Sequence, residues 1–264
     1  MDTKEFKRIF APNHTLSKPV LFGMVSFQII ITLFWWFSQS SELMPKPSEI
    51  LSALSRMVTE EKIIPELWSS ALLSMKSMTI AVVVSLIISY LTVLPFFRPI
   101  AFVASKGRFL GLAGLTFIFT IITSDGHNLK VALLVFGISV FFITSMVAVI
   151  QAIPKSEYNY ARTLRMNEWE AVWNVVILGR IDQVFEIIRQ NFAISWVMLT
   201  MVEGLVRSEG GIGSVLLSQN KHFHLDAVFA IQLTILLVGV AQDYIIGIVK
   251  NLCCPYASIT LERK

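Results

Sequence analysis

A chain of 264 residues that is 55% hydrophobic and only 15% charged has too few charges to cover a soluble particle of its size, where about 25% is usual. That composition, with a mean hydropathy of +0.67, excludes a soluble enzyme, a disordered tail and a fibrous protein, and makes a bilayer part of the solvent. The net charge of +4 then reflects which loops carry Lys and Arg, not nucleic-acid binding.

In chain order, residues 1–19 form a short basic segment outside the bilayer, with Lys4, Lys7, Arg8 and Lys18. The first apolar run, Val20 to Phe37, ends in Phe34-Trp35-Trp36-Phe37 instead of a small-residue cleavage site. It is expected to stay as an anchor with its aromatic rings at an interface. Met44-Pro45-Lys46-Pro47-Ser48-Glu49 reads as an extended stop followed by a helix start. Ser48 is the expected N-cap, and Ile50, Leu51, Leu54 and Val58 share one face. That helix either lies on the membrane or packs on neighbouring spans.

Ser77 to Phe97 and Val131 to Ile153 cross a hydrocarbon layer of roughly 30 Å unaided, at about 1.5 Å per residue. Phe109 to Ser124, Gln190 to Val202 and Ala227 to Gln242 need flanking residues, and the second of these reaches full length as Ile187 to Val206 by taking in Arg189 and Glu203. The expectation is an all-α polytopic membrane protein with about six spans, its membrane domain at 20–255 and a tail at 256–264. Alternate connections hold most of the cations: the amino-terminal segment, Arg98 to Arg108, Lys155 to Arg189 and Lys250 to Lys264 together carry fifteen, against six on the other side. The positive-inside rule places both termini in the cytoplasm, which requires an even number of spans.

The stretch from Pro154 to Arg189, with 154–186 as its cytoplasmic core, is long for a chain that otherwise economises on water-exposed residues, so a soluble partner is expected there. Ser156 can cap a first helix carrying Tyr158, Ala161 and Leu164; Asn167 can cap a second, with Glu170 placed for a capping box. Trp169, Val172, Trp173, Val176 and Ile177 then make an apolar stripe, which either packs beneath the protein's own spans or docks elsewhere.

Glu203 and Asp243 stand near the edges of apolar runs, either lining a pathway or marking interfacial helix ends. Ser195, Trp196 and Thr200, with Gln232 and Thr234, are candidate pathway residues, for which plain helix packing is the other reading. The spacing of Gly107 and Gly111, with Gly114 beyond, permits close approach of a helix. His127, His222 and His224 fall in outer loops at spacings that suit no metal, and Cys253 and Cys254 are adjacent, so neither metal nor cofactor is expected. Asn13-His14-Thr15 matches a glycosylation acceptor but falls on the cytoplasmic side by the cation count. No phosphate-binding glycine-lysine loop occurs.

The order of these features resembles the permease subunits of bacterial ATP-binding-cassette importers, in particular the nitrate, sulfonate, taurine and bicarbonate type. Met44 to Ile50 resembles that branch's proline-rich outer segment, and Glu157 to Asn167 (EYNYARTLRMN) its cytoplasmic glutamate-alanine-alanine motif. Ile187-Ile188-Arg189 with Ala193 and Trp196 looks like the start of the next span, Glu203 the family's glutamate, and Gly210-Gly211-Ile212-Gly213 its glycine-rich turn. Two positions depart: Arg165 stands where glycine is usual, and must take φ < 0 or bear a left-handed conformation, and Gly179 stands where proline is usual.

The resemblance implies a type I importer permease in the bacterial inner membrane, dimerising as two copies around a central pathway. Glu157, Tyr158, Ala161, Arg162, Thr163, Leu164 and Arg165 would form the coupling helix on an ATPase subunit. An extracytoplasmic binding protein would deliver the solute, and ATP would be hydrolysed by the partner, since this chain is no enzyme. A secondary transporter is the alternative, and it would more often show internal repeats and mid-span ionisable residues. A membrane-embedded enzyme would need a nucleophile or metal constellation.

Overall fold

The computed structural model describes residues 17–38, 44–59 and 63–255, all of whose regular elements are helical. The tails at 1–16 and 256–264, including Asn13-His14-Thr15, Lys4, Lys7, Arg8, Arg263 and Lys264, lie outside the described residues, as does Lys62. Eleven helices matter here: α1 (Lys18–Ser38), α2 (Pro47–Thr59), α3 (Ile63–Leu91), α4 (Arg98–Lys106), α5 (Leu112–Ile122), α6 (Gly126–Gln151), α7 (Lys155–Thr163), α8 (Glu168–Ala171), α9 (Ile181–Leu205), α10 (Ile212–Lys221) and α11 (Leu225–Cys253).

α3 and α6 form the central pair, α9 packs across both, and α10 and α11 close the bundle against α9. Small residues make the central contact close: α3 buries Ser70, Ser74, Ser77, Ala81, Ser85 and Ser89 along one side, and the Ser85 hydroxyl donates to the Ser139 carbonyl of α6. The core around this seam holds Leu133, Leu134, Ile138, Leu199, Val202 and Ile231. α1 is different. None of its most apolar window is buried within the protomer; near its end Trp36 packs against the core and its indole donates to the Pro45 carbonyl at 3.2 Å.

Four helices, α1, α3, α6 and α11, are long and apolar enough to cross a membrane, or five if α4 and α5 count as one broken span. The count of about six expected from the sequence is not reached by length and apolar character alone, for two physical reasons. The run from Phe109 to Ser124 is only the 11-residue α5, set at 115° to the stretch that includes α4. α9 has 25 residues, about 37 Å of helix, but Asp182, Glu186, Arg189 and Glu203 dilute its apolar character. Elsewhere the runs hold with shifted ends: α3 begins at Ile63, well before Ser77, and stops at Leu91.

The outer helix α2 is not capped by Ser48. Pro47 opens it, Lys46 supplies the first accepting carbonyl, and the Glu49 carboxylate takes the Lys46 N–H at 2.9 Å. Its buried residues are Ile50, Ala53 and Met57, while Leu51 and Val58 of the expected face are exposed. α2 packs on α11, with Arg56 3.5 Å from Asp226, so of the two readings the packed one is what the structure shows.

Candidate functional site

Both ends of the bundle carry functional candidates. At one end, α7 follows α6 almost without a break. Ser156 is not its cap: Pro154 occupies that position without a side-chain bond. The helix closes on itself after two turns, with Met166 N–H bonding the Ala161 carbonyl at 3.3 Å and Arg165 N–H the Arg162 carbonyl at 2.9 Å. This pair of bonds needs a left-handed residue between them, and Arg165 supplies it with φ 59. The strained alternative raised by its replacing glycine is therefore the one adopted.

Each named residue of this segment has a definite place. Arg180 Nη2 donates to both oxygens of Glu157 at 2.6 Å, clamping α7 to the turn Leu178–Arg180. Arg162 pairs with Glu168 at 3.0 Å on the surface, and that carboxylate raises the Arg162 pKa above its ordinary value. Thr163 Oγ1 donates back to the Tyr160 carbonyl. Burial pushes the Tyr158 hydroxyl above the usual tyrosine range, so it stays a neutral hydrogen-bonding group at physiological pH. Ala161 faces inward, whereas Leu164 is 54% exposed. Gly179 tolerates no easy side chain, since a Cβ would lie 3.0 Å from the Asn174 carbonyl.

The second short helix is capped as expected: Asn167 Oδ1 accepts the Glu170 N–H and the Glu170 carboxylate accepts the Asn167 N–H, each at 2.8 Å. The apolar stripe is not buried as a unit, however. α8 lasts four residues and widens into a π-turn over Val172–Ile177, which changes the angular spacing on which the stripe depended. Ala171 and Val176 go inside, and Trp169 and Trp173 stay 69% and 56% exposed.

At the opposite end, the glycine-rich turn meets three helices. Glu203, 1% exposed, accepts from the Ser70 hydroxyl at 2.6 Å and from the Gly213 N–H at 2.8 Å. Ser70 in turn accepts the Ile212 N–H, and Glu66 accepts the Gly211 N–H at 2.6 Å. These acceptors satisfy amides at the start of α10 that have no partner within the helix, and place negative charge at its positive end. Lys130, 2% exposed, donates to the Gly210 carbonyl at 2.8 Å. Gly210 and Gly211 have φ 64 and 101, and a Cβ on Gly211 would overlap the Glu203 carboxylate. The motif is thus a socket built around two carboxylates, the buried Glu203 and its neighbour Glu66. The sequence reading found Glu203 and the glycines but missed Glu66, Ser70 and Lys130; the regular small-residue spacing of α3 was the signal for Ser70, and nothing local marked the other two.

The remaining candidates separate. Ser195 lies buried within 3.3 Å of Ser74, and the Trp196 indole donates to Gln242 at 2.6 Å, so both face neighbouring helices of the protomer. Thr200 and Gln232 line a common cavity of about 430 Å³ between α9, α10 and α11. Thr234 bonds the Ala230 carbonyl of its own helix. Asp243 stands well inside α11, not at a helix end, and pairs with Arg189 at 2.8 Å. Of the glycine series only Gly107 makes a close approach, against Val140 and Phe136. His222 and His224 engage Ser218 and Gln219, and no metal-holding cluster occurs among the described residues.

Comparison with known proteins gives one family and one fold. The profile of the binding-protein-dependent transport system inner membrane component matches residues 19–251. No match was found among curated proteins. Among solved structures, an amino acid ABC transporter crystallised with histidines is similar, with a TM-score of 0.56 at 17% identity over 75% of this chain and 95% of that one; at that identity the likeness concerns the fold alone. An all-helical bundle with apolar helices of spanning length, a glycine socket and a short exposed helix pair is matched along nearly its whole length by that profile, and the chain belongs to the family of binding-protein-dependent transport system inner membrane components, multi-pass membrane permeases that transport and do not catalyse.

Proposed function

We propose that this chain forms the translocation pathway of an ATP-binding-cassette importer as a homodimer, is driven by separate ATPase subunits, and receives a small anion such as nitrate, a sulfonate, taurine or bicarbonate from an extracytoplasmic binding protein. The observation that carries the ATPase reading is the α7–α8 segment. It leaves Tyr160, Leu164, Trp169 and Trp173 exposed while the Glu157–Arg180 clamp ties it to its own bundle. A contact surface so held transmits a push as rigid-body rotation of the attached helices. The cation distribution supports placing this end and both termini in the cytoplasm. The anion reading rests on the resemblance of Met44 to Ile50 and Glu157 to Asn167 to one importer branch.

Leu164→Glu tests the coupling role, because Leu164 is exposed and Ala161 is not. Co-expressed with an ABC ATPase subunit that the unchanged permease binds, the variant should bind that subunit at least about tenfold more weakly. Its own stability should change by no more than about 0.5 kcal/mol. Unchanged binding and unchanged uptake would remove the coupling assignment. Solute accumulation by the chain reconstituted alone would favour the secondary transporter instead.

A further inference from the structure

The bend between α4 and α5 brings two cations level with the middle of α6. α4 ends at Lys106, the chain turns once through Gly107–Phe109, and α5 leaves in a new direction, with a bend of 115° across the break. Gly107 lies so close to α6 that a Cβ there would come within 2.9 Å of Val140. Val140 is near the midpoint of α6, a helix about 39 Å long. Lys106 and Arg108 flank that glycine, so their backbones stand level with the middle of α6, whereas the cation count assigned them to a loop.

Both side chains are exposed, and no ion pair to either is found among the described residues. Lys106 Nζ lies 4.9 Å from the Phe102 ring and the Arg108 guanidinium 5.2 Å from the Phe109 ring. No acidic residue occurs anywhere between Glu66 and Asp125. A cavity of about 700 Å³ runs from Arg162 and Glu168 of the coupling segment along α4 to Phe102 and Ser105, next to Lys106. A cation held against lipid at this depth is strongly disfavoured, and interrupted helices at mid-membrane persist where they line protein or water.

We propose that Lys106 and Arg108 line the translocation pathway of the assembled permease at mid-membrane and form its station for an anionic solute. The assignment rests on the permease reading above and deepens it by naming the residues that would favour anions. Aromatic faces hold the two cations without neutralising them, which leaves their charge available to a passing anion.

The test uses full-length chains in intact membrane vesicles, with Cys253→Ser and Cys254→Ala removing the only two cysteines. Lys106→Cys and Arg108→Cys are each exposed to two membrane-impermeant thiol reagents, methanethiosulfonate ethylsulfonate (negative) and its trimethylammonium counterpart (positive), with rates normalised to free cysteine. Phe22→Cys on the lipid-exposed α1 is the unreactive reference, and monodisperse elution after extraction checks that every variant folds. Both target cysteines should react, with the negative reagent preferred. Adding Arg108→Gln to Lys106→Cys should cut that preference about fivefold, the effect of one unit charge several ångströms away in a water-like dielectric.

Cysteines that react only after detergent extraction would place the pair against lipid and overturn the proposal. Reaction without anion preference would overturn it too, leaving an aqueous surface with no anion station. ATPase capture by the same vesicles is scored separately. Its absence would sink the importer reading, while anion-selective labelling would still stand as a property of the pathway.

Discussion

At the α10 end of the bundle the polar groups are used up internally, whereas at the α7 end they are left facing outward. Glu66, Ser70 and Glu203 spend their acceptors on the amides of Gly211, Ile212 and Gly213, and Lys130 spends a donor on Gly210. At the other end Arg162 and Glu168 pair on the surface, and two tryptophans stay exposed. Removing one partner from a buried charged network leaves an uncompensated group in low dielectric, while an exposed pair contributes little to stability. One end therefore keeps α3, α9 and α10 together as a block, and the other leaves the surface that the proposed coupling role requires.

The largest expected effect tests the block. Gly211→Val puts a branched side chain at φ 101 and into the Glu203 carboxylate, combining backbone strain with overpacking. A loss of more than about 3 kcal/mol follows, read as a collapse of monodisperse, folded permease in detergent. A well-folded Gly211→Val protein would mean that the socket is looser than its hydrogen bonds imply. Glu203→Gln is milder. It keeps the shape but cannot accept from both the Ser70 hydroxyl and the Gly213 N–H through carboxylate oxygens, so about 2 kcal/mol should be lost in denaturant unfolding. If the loss is instead seen only in uptake, with unfolding unchanged, Glu203 belongs to the pathway and the contrast between the two ends weakens.

How much of this was legible beforehand differs between the ends in a physically instructive way. Capping is local, so Asn167 and Glu170 were readable from spacing alone, and so was the conflict at Arg165. The glycine turn was recognised, but its meaning depends on Glu66 and Lys130, which are 145 and 80 residues away from their partners along the chain. Ser156 and Ser48 had the right chemistry for N-caps, but the helices start earlier, at Lys155 after Pro154 and at Pro47. The stripe from Trp169 to Ile177 failed because the π-turn altered its period. Hydropathy alone divided the bent α4–α5 stretch into a loop and a short run, because it registers apolar length and not the 115° turn that sets Gly107 against α6.

The smallest effect has the opposite sign. Arg165 closes α7 in a left-handed conformation that costs a non-glycine residue roughly 1–2 kcal/mol, and glycine would relieve most of that while losing some stability through a more flexible unfolded chain. Arg165→Gly should therefore stabilise the segment by about 1 kcal/mol. Hydrogen exchange at the Arg165 and Met166 amides, which close the helix end, should slow about fivefold. A faster exchange would show that the arginine side chain supports the segment by contacts within the protomer. Slower exchange together with weaker ATPase binding would assign the strain a purpose: the chain keeps an unfavourable residue at this turn because its exposed guanidinium belongs to the gripping surface, the very property that the buried socket at the far end lacks.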